Sequence, residues 1–507
     1  MLYQRQKGAT AAQNGGGGGE ESSSSSSAPP SQSSDSGYSK TSKQQRTSAR
    51  NWRQVIPLSI LVLALIVGVG TTTVMIATMT GKLKISDTLL LRHGKEQPNT
   101  AQDFTPPGIC INNLQDMPKH WRPLPGLYPD PGTPWTAQEQ TLADESVEKG
   151  LDELVAFYEH NMTVSRIQKL RNNAVNSLID EAYASESMPS YHAKALRAAA
   201  RVLKINAARF ATDKNNNKYT GCTKTYEKLK YVGYGQYLVN NLPDDAELAT
   251  LQAALTAHVN FMLQQDCQTL ESVLDVGDLS TIFRDKHAHA DDVFDWTLKA
   301  IALTDALTVP NLALPEGTEE FIAKVWKYLS HYEYPYARDH RKHYGDYTTR
   351  NTAWLATHVA YVPSGYGRHK QLIGDAPYLY QYIRENFYYA LEYGMLDLFC
   401  EFVDLVRQYG CTEETDYQVR HGTRYILSLY LQGGHSWMNY REDGQPPDED
   451  ESIDDYDLIH KPWTAISGVI RRKFEPIVPG SYGHAFQEAL KHAETMKQGK
   501  LKGRSVA

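Results

Sequence analysis

The stretch AKALRAAARVLKINAARFA, residues 193–211, decides the fold class of this chain. It consists mainly of alanine, leucine, arginine and lysine, which have the highest intrinsic helix propensities. We therefore predict one long helix over these residues.

The helical period continues on both sides of that stretch. Apolar residues recur at i, i+3, i+4 and i+7 within 151–158, 248–262 and 395–405. No stretch alternates for long enough to build a sheet. We predict an all-α domain over 137–507, either a helical solenoid or an α/α toroid, and no strict repeat decides between the two. Short segments rich in Asn, Pro and Gly separate the helical runs: 215–217, 242–244, 314–317 and 363–367.

The N-terminal part has a different composition. Residues 1–54 contain the runs Gly15–Gly19 and Ser22–Ser27 and few large apolar residues, so burial cannot offset chain entropy. We predict a disordered tail there. Residues 55–81 carry no charged side chain and are long enough to cross a bilayer, which needs about 20 apolar residues. They predict one transmembrane helix.

The flanks of 55–81 set the predicted orientation. Basic residues are slightly more numerous before the segment than after it, which favours a cytoplasmic N-terminus and an extracytoplasmic C-terminal domain. The sequence thus predicts a single-pass signal-anchor protein. Residues 82–136 are dense in Pro and Gly and predict a stalk between the membrane and the helical domain.

Cysteine positions agree with an oxidising compartment, because all five follow residue 81. Cys400 with Cys411 and Cys222 with Cys267 are the candidate pairs, which leaves Cys110 over. The alternative, five reduced and buried thiols, stays open because connectivity does not follow from sequence. Asn161, in Asn-Met-Thr, is a candidate glycosylation site.

Common catalytic motifs are absent from the sequence. It contains no HExxH, GxSxG, P-loop or GxGxxG motif, and no CxxC pair that would bind zinc. We predict no cofactor and no metal, and the sequence does not decide whether the protein is an enzyme. The net charge of -7 also argues against a nucleic-acid partner.

The densest polar cluster lies between residues 331 and 368. It contains Asn351, His358, Tyr366 and Arg368, the four candidate catalytic residues. Asn and Arg stabilise an enolate, and His or Tyr moves protons, as a polysaccharide lyase requires. The run from His358 to Gly367 faintly resembles the His/Tyr stretch of α/α-toroid lyases. The alternative is a set of hydrogen bonds between helices beneath a loop.

A second candidate site is the run Gly433-Gly434-His435-Ser436-Trp437. Glycine permits close approach of a ligand and tryptophan stacks well, so His435 and Trp437 are candidate ligand-binding residues. A helix C-cap followed by a packed tryptophan explains the run equally well.

Residues 176–203 and the segment LKYVGYGQYLV, 229–239, resemble the N-terminal activator domain of bacterial collagenases. The order of helices continues this weak resemblance over about 150–430. It implies a HEAT-like module that handles substrate. The peptidase half of that family, with its HExxH, has no counterpart here, so no catalytic residue is carried over.

Three hypotheses for function follow. The first is a membrane-anchored extracytoplasmic helical module that binds a peptide, protein or glycan. The second is a polysaccharide lyase or glycosidase on an α/α toroid. The third is a structural component of an envelope assembly. Convergence of the four candidate catalytic residues in one open cleft would favour the second hypothesis over the first.

Overall fold

Helices make up all the regular secondary structure that the computed structural model describes, which confirms the predicted all-α class. Residues 1–107, the gaps between the described ranges and some side chains within them lie outside the description. The described residues are 108–123, 126, 130, 132–161, 163, 167, 172–212, 222, 225–279, 290–332, 334, 347–392, 394–438 and 455–504.

The described helices are numbered in chain order. They are α1 (Ala137–Ala156), α2 (Asn172–Ala184), α3 (Pro189–Thr212), α4 (Thr225–Asn241), α5 (Ala246–Gln265), α6 (Leu270–Leu274), α7 (Ala290–Leu307), α8 (Thr318–Leu329), α9 (Tyr347–Val359), α10 (Tyr361–Ser364), α11 (Pro377–Glu392), α12 (Leu396–Gln408), α13 (Tyr417–Gln432), α14 (Asp455–Val469) and α15 (Tyr482–Arg504). Single 3₁₀ turns lie at Leu114–Asp116, Lys119–Trp121, Ser185–Ser187 and Ile373–Asp375, and a π-helical turn lies at Phe157–Asn161.

Local sequence explains where several helices begin. The Thr136 side chain accepts a hydrogen bond from the Glu139 backbone N–H, and the Glu139 side chain bonds back to Thr136, so α1 starts with a capping box. Asp245 and Asp416 cap α5 and α13 in the same general way, through carboxylate oxygens. The alanine-rich stretch lies within α3, whose buried face carries Ala195, Ala199 and Leu203 among others.

The helices form one connected core by packing on neighbours in sequence and on distant ones. Helix α3 packs on α2, α4 and α5, and α4 packs on α7. Helix α7 packs on α9, α9 on α12, and α12 on α11, α13 and α14. The late helix α14 also packs on the early helices α1 and α2. These contacts bring residues near 180, 400 and 460 together.

The predicted stalk is corrected over residues 108–122, which pack against the helical domain. Trp121 is buried, and its ring lies edge-on to Tyr380 of α11. The Ile111 N–H donates to Asp416 at 3.0 Å. A disulfide joins Cys110 to Cys411. Residues 108–123 contain two 3₁₀ turns, and the density of proline and glycine did not reveal the contacts that this segment makes.

One of the two predicted cysteine pairs does not match the disulfides of the structure. The predicted bond between Cys400 and Cys411 is wrong, because Cys411 is bonded to Cys110. Cys400 is buried within α12, next to Gly468 of α14. A second disulfide joins Cys222 to Cys267.

The membrane prediction is also corrected. No helix within the described part of the chain is both long enough and apolar enough to cross a membrane, which contradicts a single-pass signal-anchor protein with an extracytoplasmic domain. Charged residues such as Glu401 and Asp404 interrupt the apolar stripe of α12. The tail 1–54 and the apolar segment 55–81, on which the prediction rested, lie outside the described residues.

Candidate functional site

A cavity opens where α2, α10, α12 and α14 meet, and we call it the acidic cavity. About 30 Å³ of it is enclosed space that water can occupy, and the volume rises to about 400 Å³ when all the space between atoms and the solvent at its mouth are counted. Carboxyl groups and aromatic rings make up most of its lining. The lining residues are Asp180, Tyr361, Tyr366, Glu401, Asp404, His460, Trp463, Thr464, Ser467 and Arg472.

Helical periodicity places most of these side chains. Glu401 and Asp404 are three residues apart on α12 and therefore share one face. His460, Trp463 and Ser467 follow the same rule on α14. Asp180 lies on α2, which packs on α14. Three helices thus present polar side chains to one space.

Asp404 and Arg472 form a closed ion pair at the cavity wall. The Arg472 Nε donates to one Asp404 oxygen at 2.5 Å, and its Nη2 donates to the other at 2.8 Å. The Arg472 Nη1 donates to the Tyr366 carbonyl at 3.1 Å. Gln408 also donates to Asp404, at 2.8 Å. Such a two-point guanidinium–carboxylate pair fixes both groups.

The carboxyl groups of Asp180 and Glu401 have raised pKa values. Burial raises the pKa of Asp180 to about 7, and the nearby Asp404 carboxylate acts in the same direction while Arg472 opposes it. Burial raises the pKa of Glu401 to about 8, with a further rise from Asp397. The Oε2 of Glu401 has no hydrogen-bond partner among the described residues. Both groups therefore exchange protons near neutral pH.

Glu181 adds a carboxyl group next to this set. Its side chain is fully buried, and neither oxygen has a hydrogen-bond partner within the described ranges. Burial, followed by the charge of Asp180, raises its pKa well above the ordinary value. Arg472 and Asp404 also act on it electrostatically, so Glu181 belongs to the same charge cluster.

Aromatic rings form the remaining wall. Tyr361 and Tyr366 lie 5.0 Å apart between ring centroids, inclined by 32°. His460 and Trp463 lie 5.0 Å apart, nearly edge to face. Tyr366 has a positive φ of 60° between two glycines that also have positive φ. A Cβ on Gly367 would lie 2.7 Å from the Arg472 guanidinium, so glycine is required for that close approach.

Of the four candidate catalytic residues, Tyr366 lines the acidic cavity. His358 packs between the rings of Phe294 and Tyr361, and its Nδ1 donates to the Trp354 carbonyl at 2.8 Å. Burial lowers the pKa of His358 to about 4, so the imidazole is neutral at physiological pH.

Arg368 and Asn351 are buried away from the cavity lining. The Arg368 Nη2 donates to Asp305 at 2.8 Å, and the guanidinium lies between the rings of Tyr183 and Tyr482. The four residues therefore do not converge in one open cleft. The alternative interpretation, bonding between helices beneath a loop, describes Arg368, which bonds Asp305 of α7, whereas the hydrogen bond of His358 lies within α9.

The second predicted site divides into a core residue and a surface residue. Trp437 is fully buried, and its Nε1 donates to the Ser146 carbonyl at 2.7 Å. It packs the core and is not accessible for ligand stacking, so its predicted binding role is wrong. His435 is exposed and lies edge-on to Tyr430, outside the lining of the acidic cavity. Asn161 ends the turn Phe157–Asn161, and its side chain lies outside the description.

Sequence reasoning missed the carboxyl groups of the cavity. One signal was present: Asp180 and Glu181 directly follow Leu178 and Ile179, and Glu401 and Asp404 interrupt the apolar stripe of α12. Charged residues on a core-facing stripe are costly unless a partner or a function retains them. Comparisons with protein-family models, curated proteins and solved structures find no match for this chain.

Proposed function

We propose that this protein is a glycoside hydrolase that cleaves a glycosidic bond in the acidic cavity. The observation that carries the proposal is the pair of carboxyl groups, Asp180 and Glu401, which line one cavity and have pKa values of about 7 and 8. Glycoside hydrolysis needs two such groups, one that gives a proton and one that accepts one or attacks.

The two pKa values suggest which group does what. At pH 7 Glu401 is mostly protonated, so it serves as the general acid that protonates the leaving oxygen. Asp180 ionises at lower pH and serves as base or nucleophile. Asp404 remains bound to Arg472 and holds that cation at the wall. The rings of Tyr361 and Trp463 also line the cavity, and aromatic side chains are common in ligand pockets.

An α/α toroid is the architecture that we propose for the domain. Its support is the packing order, in which α2, α3, α4, α7, α9, α12 and α14 follow one another and α14 returns to α2. Asp180, Asp305 and Asp404 lie in the C-terminal halves of α2, α7 and α12 and act on common neighbours electrostatically. The three aspartates therefore lie at the same end of their helices, as expected if α2, α7 and α12 are the inner helices of a toroid and run in the same direction. An open solenoid gives no reason for the last helices to contact the first.

Two other hypotheses have less support. A lyase needs an accessible base and a free cation, but His358 is half-buried and bonded to the Trp354 carbonyl, and Arg368 is buried and paired with Asp305. A binding module without catalysis, including a HEAT-like module of the kind found in collagenases, uses the same cavity and gains support from its aromatic wall. Turnover decides between a binding module and a hydrolase.

The test is hydrolysis of a panel of polysaccharides and 4-nitrophenyl glycosides, measured as release of reducing ends and of nitrophenol. We expect turnover of at least one substrate, and a fall in kcat of about 10² to 10⁴ in Glu401→Gln and Asp180→Asn, the usual contribution of acid–base groups. Ultraviolet absorbance of unsaturated sugar ends monitors the lyase alternative in the same samples.

Glu385→Gln is the matched control for Glu401→Gln. Glu385 is also a half-buried glutamate on a helix, but it pairs with His120 at 3.0 Å and does not line the cavity. The Glu385→Gln variant should keep the kcat of the wild type. Turnover that survives both cavity substitutions would overturn the assignment of the site. Binding of a glycan without turnover would favour the binding module.

A further inference from the structure

We infer that His369 is a pH-sensitive switch, which holds the loop 475–483 closed while its imidazole is neutral and lets the loop open when the imidazole gains a proton. The inference goes beyond the proposed function and does not depend on it. Its basis is the pair of hydrogen bonds that the two ring nitrogens make.

The buried ring of His369 joins the two ends of the loop. Its Nδ1 donates to the Glu475 carbonyl at 3.1 Å, and its Nε2 accepts from the Gly483 N–H at 2.9 Å. A carbonyl only accepts and a backbone N–H only donates, so both bonds require the neutral tautomer with its proton on Nδ1. An imidazolium has a proton on each nitrogen and cannot accept from Gly483.

The Gly483 N–H belongs to the first turn of α15. The first N–H groups of a helix have no partner within the helix, so this group needs an outside acceptor, and His369 supplies it. Ser481 does the same for His484, whose N–H donates to the Ser481 hydroxyl at 3.3 Å. An imidazolium would also place its charge at the positive end of the helix dipole. Protonation therefore removes a hydrogen bond and adds a repulsion.

Glycine at position 483 allows this close contact. A Cβ there would lie 2.9 Å from the His369 Nε2 and 2.9 Å from the Ile477 Cγ1. The imidazole therefore lies directly against the main chain of α15. In the protonated state, two N–H groups would face each other across this contact.

The groups around His369 determine the pH range of the switch. Burial, assisted by the charge of Arg368, lowers the pKa of His369 below 6.5, while the carbonyl and the carboxylate of Glu475 act in the opposite direction. The closed loop therefore gains its full stability from the neutral ring above about pH 6.5, and this contribution is lost as pH falls toward the native pKa. Two neighbouring basic side chains face other groups: Lys370 lies against Gly410, and His484 acts on Glu488.

The side chain of Glu475 responds to acid in the opposite sense. Burial raises its pKa to about 7, and it shares a hydrogen bond with Glu186. Because two carboxyl groups can bond only when one of them holds a proton, this bond is stronger at low pH. Glu475 thus holds the loop closed in acid, and an experiment on His369 must cancel its contribution.

The opening should stop at Arg472, three residues before the loop. Its guanidinium bonds both oxygens of Asp404 and the Tyr366 carbonyl, and none of these bonds involves His369. Within the loop, Ile477 and Val478 are already 46% and 48% exposed. We therefore expect opening of 475–483 and of the first turn of α15, with the wall of the acidic cavity left in place.

The experiment is hydrogen exchange of the full chain at pH 5.0 and pH 7.5, followed by mass spectrometry, with labelling times scaled to the intrinsic exchange rate at each pH. The measured quantity is the protection of peptides that cover 475–486. His369→Gln is the main variant, because an amide offers a donor and an acceptor but does not titrate. We expect the protection of the wild type relative to His369→Gln to fall about tenfold from pH 7.5 to pH 5.0. This ratio cancels the contribution of Glu475, which both proteins contain.

His192→Gln is the matched control. His192 is a half-buried histidine of α3, and its Nδ1 also donates to a main-chain carbonyl, that of Ala182 at 2.7 Å. The protection of the wild type relative to His192→Gln in 475–486 should be the same at both pH values. Peptides from α12 serve as an internal reference, and their ratios should not change with pH in either comparison.

A ratio of wild type to His369→Gln that is equal at both pH values would overturn the inference. An equal fall in the α12 peptides would also overturn it, because the effect would then be general unfolding in acid. If His369→Gln does not fold, Glu475→Gln is compared at the two pH values, since it keeps the main-chain carbonyl that His369 bonds and removes the opposing carboxyl group. Its protection in 475–486 should fall about tenfold at pH 5.0. Unchanged protection in that variant would contradict the switch.

Discussion

The acidic cavity and the cluster around Arg384 both bury charged groups, but they satisfy them to very different degrees. Arg384 and Asp416 are fully buried. Arg384 donates to both oxygens of Asp416, to Tyr380, to Gln418 and to the Ile109 carbonyl. The cavity, by contrast, has three carboxyl groups and one guanidinium in its lining, with Glu181 next to them, and three carboxyl oxygens of Glu181 and Glu401 are unbonded within the described residues.

This difference is the one that we expect between a structural cluster and the proposed site. The Arg384 cluster connects residues 108–122 to α11 and α13, because Asp416 also accepts a hydrogen bond from the Ile111 N–H and caps α13. Every charge there has an internal partner, as a buried ion pair requires. Carboxyl groups that lack such partners destabilise the fold, and proteins commonly tolerate that cost at ligand and catalytic sites. Unsatisfied acceptors therefore point to function more clearly than burial does.

The largest effect is expected for Asp416→Asn. The amide removes the negative charge and leaves Arg384 buried without its counter-ion, which costs about 3–5 kcal/mol of stability. Urea unfolding followed by circular dichroism measures the change. Lys194→Ala, which breaks the exposed pair with Asp152, is the control and should cost under about 1 kcal/mol. Similar losses in the two variants would contradict the structural role of the Arg384 cluster.

The next effect concerns the disulfide beside that cluster. Cys110→Ser removes the bond to Cys411, which closes a loop of 301 residues in sequence separation. We expect a loss of about 2–4 kcal/mol in unfolding free energy, mainly because the unfolded chain becomes less constrained. Melting of the oxidised wild type, the reduced wild type and the variant measures it. The first should melt at the highest temperature, and identical melting of all three would contradict the prediction.

The sequence allowed the helices to be predicted far better than either cluster. The apolar stripes around 193–211, 248–262 and 395–405 lie within or along α3, α5 and α12, because helix periodicity is a local property. Asp180 and Glu401 are more than 200 residues apart, and Arg384 meets Ile109 across 275 residues. Only the packing of distant helices brings such residues together, so spacing in the sequence carried no signal of their contact.

The polar residues singled out from the sequence show the same limit. Asn351, His358, Tyr366 and Arg368 were grouped because they lie close in sequence, and helix geometry then separated them. Tyr366 lines the cavity, while Arg368 pairs with Asp305, 63 residues away. A search for charged residues that interrupt apolar stripes would have found α2 and α12 but not their convergence on α14.

A smaller effect of opposite sign is expected at the cavity. The native pKa values of Asp180 and Glu401, about 7 and 8, exceed the ordinary values of 3.8 and 4.5. The native state therefore holds these protons to higher pH than the unfolded chain does. Their contribution to stability is complete below about pH 4 and is lost as pH rises to about 8. Asp180→Asn and Glu401→Gln do not titrate and avoid that loss.

Thermal unfolding between pH 5 and pH 9 measures this difference. At pH 8 and above, each amide variant should exceed the wild type by on the order of 1–2 kcal/mol, after allowance for partial exposure of both side chains. Near pH 5 the advantage should be much smaller. A constant difference across the range would show that packing rather than charge is responsible.

The smallest effect is expected for Glu181→Gln, which is the matched counterpart of Asp416→Asn. Both substitutions replace a fully buried carboxyl group with the amide of the same shape. Burial raises the pKa of Glu181 well above its ordinary value, and neither oxygen gives up a hydrogen bond within the described residues when the amide replaces it. The change in unfolding free energy should stay below about 1 kcal/mol at pH 7, against about 3–5 kcal/mol for Asp416→Asn. A loss at Glu181 as large as that at Asp416 would mean that Glu181 has a bonding partner as strong as Arg384, and the cavity would then be a structural cluster of the same kind.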